Sequence, residues 1–233
     1  MASWFLSARA VWETFLISAP TIVDGLFGRV TIEKCDVRLR RWATRLLDQA
    51  DVTRVIEGAE HATTDEVFVV MSNHQSLNDI PLLIESYPHT LRMVTKTELF
   101  RVPIWGGAMR ESGFIELDRN NRVRAREGIE NAKKRLAQGI NVWIAPEGTR
   151  SRSGSLGEFK SGGFRLAQAT GFRILPVAIR GTQGVLPADG LRVLSGAKVE
   201  MQFGEPVNPA EFASNAKRVE LVKIVRDAIQ KML

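Results

Sequence analysis

Cysteine is scarce in this sequence: Cys35 is the only one among 233 residues, so the chain cannot close an internal disulfide, and no Cys/His group has zinc-site spacing. That scarcity fits a reducing, cytoplasmic setting for the folded body. Long apolar runs are missing too. No uninterrupted stretch reaches the roughly 20 residues that a helix needs to span a bilayer, and the N-terminus lacks the basic region and small-residue cleavage site of a secretory signal. Neither Gly-x-Gly-x-x-Gly nor a Gly-Lys-Ser/Thr phosphate loop occurs, which argues against nucleotide binding. Ser76 stands near His74, but no Gly-x-Ser-x-Gly elbow supports a serine hydrolase. Repeats and low-complexity tracts are absent, and composition nowhere shifts enough to mark two independent globular units.

What the chain does have is ordinary globular content, 44% hydrophobic and 25% charged, in a length sufficient for one sizeable core. Lys and Arg outnumber Asp and Glu by 32 to 26, for a net charge of +6. The resulting pI near 9.8 favours an anionic partner such as nucleic acid, a phosphate-bearing substrate or acidic lipid. Residues 1–50 read as an amphipathic helical element. Trp4, Ala8, Val11, Trp12 and Phe15 recur at helical spacing on one face, with Arg9 and Glu13 on another. Between Glu33 and Ala50, Lys34, Arg38, Arg40, Arg41 and Arg45 accompany Trp42, Leu46 and Leu47, a mixture suited to anionic headgroups. Two helices that merely cap the core would show the same pattern, so both readings stand at this point.

Residues 51–233 alternate strand and helix signals, which predicts an α/β domain. Val67–Met71 is a continuous apolar run suited to a strand buried on both faces. A helix is expected from about Ser76 to Glu85, strands at Thr53–Ile56, Leu91–Thr95, Phe114–Leu117 and Ile140–Ala145, and a helix at Arg122–Gln138 stopped by Gly139. Ser161 is placed to cap a helix ending at Gly171. Pro176, inside the strand-like Ile174–Ile179, is expected at a sheet edge or irregularity. Asn208, Pro209 and Glu211 have the spacing of a helix start.

Chemistry concentrates where strands end. His74 follows the buried strand, and Asp79, placed in the first turn of the next helix, can point back to orient the imidazole and stabilise its protonated form. Ser76 and Asp79 also nearly match a capping box, the plainer explanation. Pro146-Glu147-Gly148-Thr149-Arg150-Ser151 follows the Ile140–Ala145 strand. Arg150 offers a planar fork for phosphate, Gly148 permits close backbone approach, and Thr149 and Ser151 supply hydroxyls. A polar turn closed by a Glu147–Arg150 ion pair is the alternative. Arg119, Lys96 and Lys160 are further basic candidates.

Asn73-His74-x-x-x-x-Asp79 resembles the first motif of the 1-acylglycerol-3-phosphate acyltransferase family of glycerolipid acyltransferases. Lys96-Thr97-Glu98-Leu99 with Pro103, Gly106 and Gly113 through Arg119 resembles the second block, Pro146–Ser151 the third, and Leu175-Pro176-Val177-Ala178-Ile179 the fourth. Phe159-Lys160-Ser161-Gly162-Gly163 also falls in the family's place for such a segment, and the likeness covers about Arg38 to Pro187. Ala145 replaces the usual aromatic and Ser161 a common Lys. The resemblance implies a mixed, mostly parallel sheet flanked by helices, with a two-helix N-terminal element that associates with the cytoplasmic face of a membrane, peripherally or monotopically. It further implies transfer of an acyl chain from a thioester of coenzyme A or acyl carrier protein to lysophosphatidate, with no metal or cofactor and no nucleic-acid partner. His74 would be the general base, Asp79 its orienting acid, and Arg150, Lys96 and Arg119 the holders of the acceptor phosphate. The same chemistry on glycerol 3-phosphate or another lysophospholipid, or a non-catalytic basic membrane-binding protein, are the rival readings.

Overall fold

The computed structural model describes residues 2–63, 65–118, 120–212 and 214–233. A two-stranded ladder, β1 (Ala2–Ser3) with β8 (Val193–Leu194), pins the N-terminus to the body. The main sheet holds β2 (Thr53–Glu57), β3 (Val69–Ser72), β4 (Leu91–Lys96), β5 (Ile115–Leu117), β6 (Asn141–Ile144), β7 (Ile174–Arg180) and β9 (Lys198–Phe203). Its seven strands lie in the order β2-β9-β7-β3-β6-β4-β5. From β7 to β5 all run parallel, whereas β9 opposes β7 and β2 follows β9. The sheet is therefore mixed and mostly parallel.

Phe68, Val69, Val70 and Met71 are all fully buried, and successive residues point to opposite faces. Phe68 and Val70 join one core with α2 (Ile32–Gln49) and α3 (Asp79–Ser86). Val69 and Met71 join another with α6 (Arg122–Ala137), α7 (Gly162–Thr170) and α8 (Arg218–Met232). An unbroken apolar run is what a strand covered on both sides requires. α6 stops at Gly139, whose φ of +79° suits a residue without Cβ.

The amino edge of the sheet is closed by Asn141. Its Oδ1 accepts the Phe68 N–H at 2.7 Å and the Tyr87 hydroxyl at 2.9 Å, while its Nδ2 donates to the Thr90 carbonyl at 3.2 Å. Burial holds the Tyr87 phenol protonated well above the ordinary tyrosine range, so it remains a donor.

Three local expectations change and a fourth is narrowed. α3 begins at Asp79 rather than Ser76, because the Ser76 hydroxyl donates to the Leu186 carbonyl at 2.6 Å and accepts the Asn78 N–H at 3.0 Å, holding residues 76–78 in a turn. Ser161 precedes α7 without a side-chain capping bond. Asn208 accepts the Ala210 N–H at 3.1 Å and caps only the short turn Pro209–Phe212, so the long C-terminal helix starts at Arg218. Pro176 lies in an internal strand, at an irregularity, the second of the two places expected for it. It falls where β9 leaves a gap: the ladder begins at Val177–Phe203 and pairing returns at the Ile174–Val207 bridge.

The N-terminal helices α1 (Trp4–Leu26) and α2 form a pair, and α1 also rests on α5 (Trp105–Glu111), which follows the short α4 (Thr97–Phe100). α1 turns polar groups inward. Glu13 takes Arg45 at 2.9 Å and Gln49 at 3.1 Å, Thr14 accepts the Trp42 indole N–H at 3.0 Å, and Asp24 pairs with Arg38 at 2.6 Å. Trp4, Phe5, Val11, Trp12, Leu26 and Phe27 are each more than half exposed. Arg9 stands among them, 5.7 Å from the Phe5 ring centroid. Among the described residues no helix is long and apolar enough to cross a membrane.

Candidate active site

Three loops leave the carboxyl ends of β3, β6 and β7, where open α/β sheets place their ligands. Asn73 ties the first to the third. Its Nδ2 donates to the Ile179 carbonyl and its Oδ1 accepts the Ile179 N–H, both at 2.8 Å, so the side chain extends the β3–β7 ladder beyond Ser72. His74 is held through its backbone and its ring. Its N–H donates to Glu147 Oε1 at 2.9 Å, its carbonyl accepts the Ser151 N–H at 2.7 Å, and its ring meets the Trp143 ring edge-on at 5.5 Å. The Trp143 indole N–H donates to the Ser72 hydroxyl, which donates to the Asn73 carbonyl.

His74 Nδ1 lies 2.7 Å from Asp79 Oδ2. A carboxylate oxygen can only accept there, so Nδ1 carries the proton and the Nε2 lone pair is left to take one. Asp79 is fully buried at the first residue of α3, where the helix dipole favours negative charge. Its Oδ2 also accepts the N–H groups of Gln75 at 2.7 Å and Ser76 at 3.0 Å, and its Oδ1 accepts the Thr182 hydroxyl. The capping-box and orienting-acid readings thus merge: the carboxylate does bind nearby backbone, and the same oxygen holds the imidazole.

Glu147 does not pair with Arg150. Its Oε1 serves His74 and its Oε2 accepts the Gly157 N–H at 2.9 Å, so the buried acid braces two loops. Arg150 is half-buried, one residue before the Ser151 N–H that holds His74, and among the described residues it has no carboxylate partner. Gly148 is buried with φ +76°, Thr149 is exposed, and the Ser151 hydroxyl donates to the Ser155 carbonyl at 2.8 Å. Lys96 is exposed at the carboxyl end of β4, two strands from β3 on the same edge. Exposed Lys160 is anchored by its backbone N–H to the Pro146 carbonyl at 2.8 Å. Pro176 stays within β7 opposite Met71. Arg119 lies outside the described residues. Among the described residues no cluster of three or more His, Cys, Asp or Glu could hold a metal ion.

Thr182 and Trp143 were missed by sequence reasoning. The available signal for Thr182 was a hydroxyl directly after Gly181 at the end of a core strand. An apolar cavity of about 460 Å³ opens beside these loops, bounded by Leu77 and Asn78 of the His74 loop, by Phe15 of α1 and Trp42 of α2, and by Leu99 and Ile104 from the α4–α5 segment.

Fold and loops together define a class: an α/β protein whose sheet edge carries an imidazole bonded to a buried carboxylate, with an arginine on the neighbouring loop that pairs with no carboxylate among the described residues and an apolar chamber bounded in part by the His74 loop. The chain belongs to the acyltransferase family, whose model matches residues 53–180. It is 34% identical over 171 residues to a chloroplastic 1-acyl-sn-glycerol-3-phosphate acyltransferase of Arabidopsis thaliana, covering 72% of this chain and 48% of that protein. A 1-acyl-sn-glycerol-3-phosphate acyltransferase of Salmonella typhimurium is 31% identical over 154 residues, 64% of this chain and 60% of that one. The chain thus spans about half the length of curated relatives it matches. The crystal structure of the 1-acyl-sn-glycerophosphate (LPA) acyltransferase PlsC from Thermotoga maritima superposes with a TM-score of 0.73 at 27% identity, covering 97% of each chain.

Proposed function

We propose that this protein transfers a fatty acyl chain from an acyl thioester to the free hydroxyl of lysophosphatidate, giving phosphatidate. The observation that carries the reading is the His74–Asp79 pair, in which the ring's Nε2 has no hydrogen-bond partner among the described residues. Nε2 removes the hydroxyl proton as that oxygen attacks the thioester carbonyl, and buried Asp79 stabilises the imidazolium. The tetrahedral intermediate expels the thiolate, which recovers the proton from His74. No covalent acyl-enzyme forms. Arg150, with Lys96 and Arg119, holds the acceptor phosphate, and the apolar cavity takes the acyl chain. The donor is a thioester of coenzyme A or of acyl carrier protein. The names of the relatives, all of 1-acylglycerol-3-phosphate acyltransferases, support lysophosphatidate as acceptor.

An acyl-transfer assay with lysophosphatidate, glycerol 3-phosphate and other lysophospholipids as competing acceptors tests this. Wild type is expected to prefer lysophosphatidate, and His74→Ala to lose roughly 10²- to 10⁴-fold in rate while keeping its fold. A folded His74→Ala protein with wild-type turnover would remove the base from the mechanism.

We further infer that residues 1–50 seat residues 51–233, which carry the chemistry, on the cytoplasmic face of a membrane. The support is the inverted α1, polar toward α2 and aromatic outward. Wild type should float with anionic vesicles, and a Trp4→Ala/Trp12→Ala variant should float less. Equal flotation of the two would count against this surface.

A further inference from the structure

We propose that Thr182 is a positioning residue for the acyl transfer: its hydroxyl locks the Asp79 carboxylate in the plane that presents Oδ2 to His74 Nδ1. This rests on the reading of His74 and Asp79 as the reacting pair. The two carboxylate oxygens are unequally provided for. Oδ2 accepts the imidazole and two backbone N–H groups, whereas the donor to Oδ1 is Thr182 alone among the described residues. Both residues are fully buried, so solvent does not substitute for that hydroxyl. Without it, rotation about Cβ–Cγ is the only way for Oδ1 to find a donor, and any such rotation draws Oδ2 away from the ring.

The fold builds the Thr182 position deliberately. Asn73 sets the register between the ends of β3 and β7. Gly181 then turns at φ +84°, passing so close to the next strand that a Cβ there would lie 2.2 Å from the Lys198 carbonyl oxygen. Thr182 starts the following turn, and its own carbonyl accepts the N–H groups of Val185 at 3.0 Å and Leu186 at 3.1 Å. The Leu186 carbonyl in turn receives the Ser76 hydroxyl at 2.6 Å, and Leu186 forms part of the cavity wall. Two hydroxyls, Thr182 to Asp79 and Ser76 to Leu186, therefore button the 182–186 turn to the His74 loop and the start of α3. The segment that bounds the apolar chamber is the same one that orients the base.

The test compares kcat, acceptor KM and Tm for wild type, Thr182→Val, Thr182→Ser and His74→Ala. Thr182→Val keeps the shape and removes the donor. It is expected to lower kcat by about 10- to 100-fold, the value of a hydrogen bond to a charged group, with acceptor KM within about twofold. Thr182→Ser restores the hydroxyl and should return most of the rate. Should Thr182→Val fail to fold, Thr182→Ala takes its place against Thr182→Ser. Wild-type kcat in a folded Val or Ala variant, or a Ser variant as slow as Val, overturns the assignment to Thr182 while leaving the His74 reading intact. A fully active His74→Ala protein overturns both.

Discussion

The two ends of the sheet handle buried polar groups in opposite ways. At the amino edge, Asn141 gathers Phe68, Tyr87 and Thr90 into a closed network in which every polar atom of the asparagine has a protein partner. At the carboxyl edge, Asn73, Asp79, Glu147 and Thr182 are equally occupied, yet Asp79 holds a ring whose outer nitrogen has no hydrogen-bond partner among the described residues, and Arg150 of the neighbouring loop has no carboxylate partner among them. The first network is complete without a ligand. The second leaves one ring nitrogen open, and under the proposed mechanism that difference separates a group that holds strands together from one that takes a proton.

Three substitutions sharpen this contrast, in descending effect. His74→Ala, with its loss of orders of magnitude in turnover, is the largest, and its melting temperature should barely move because Asp79 Oδ2 keeps its two backbone N–H donors. Arg150→Ala comes next. Loss of one charge-assisted phosphate contact should reduce kcat/KM for a phosphorylated acceptor by about 10- to 100-fold, mostly through KM, and Lys at the same position should recover only part of it because the planar fork is gone. An unchanged acceptor KM would mean the free guanidinium is only a solvated surface charge. Tyr87→Phe is the smallest and lies at the other edge: about 0.5–1.5 kcal/mol of stability lost in urea denaturation, with kcat per folded molecule unchanged. A large fall in kcat there would show that the two edges do not act separately.

Much of this architecture could be read from residue order because it depends on short periods. The apolar run at Val67–Met71 announces a doubly covered strand, and the five-residue step from His74 to Asp79 announces an acid within reach of a ring. The geometry of that reach was less legible. A capping position for Ser76 would place Asp79 a turn inside the helix, but Leu186, far along the chain, captures the Ser76 hydroxyl and delays the helix until Asp79 itself. Thr182 was invisible for the same reason: it acts on a residue 103 positions away, and only the registration of β7 beside β3 brings them together. Pro176 announced an edge or an irregularity, and residue order left the choice open because the interruption that tolerates its missing N–H is a property of the β9 side and not of the proline. On α1 the helical period was plain, but periodicity does not say which stripe faces the protein. Glu13 went inward because Arg45 and Gln49 of the partner helix wait there.

Asn73 lends its amide to β7 as though it were one more peptide unit. By borrowing a side chain for that stitch, the main chain is released from the pleat one residue early and can bend while still tethered. A regular ladder thereby ends in a bend of the main chain, and the imidazole belongs to the residue just past it.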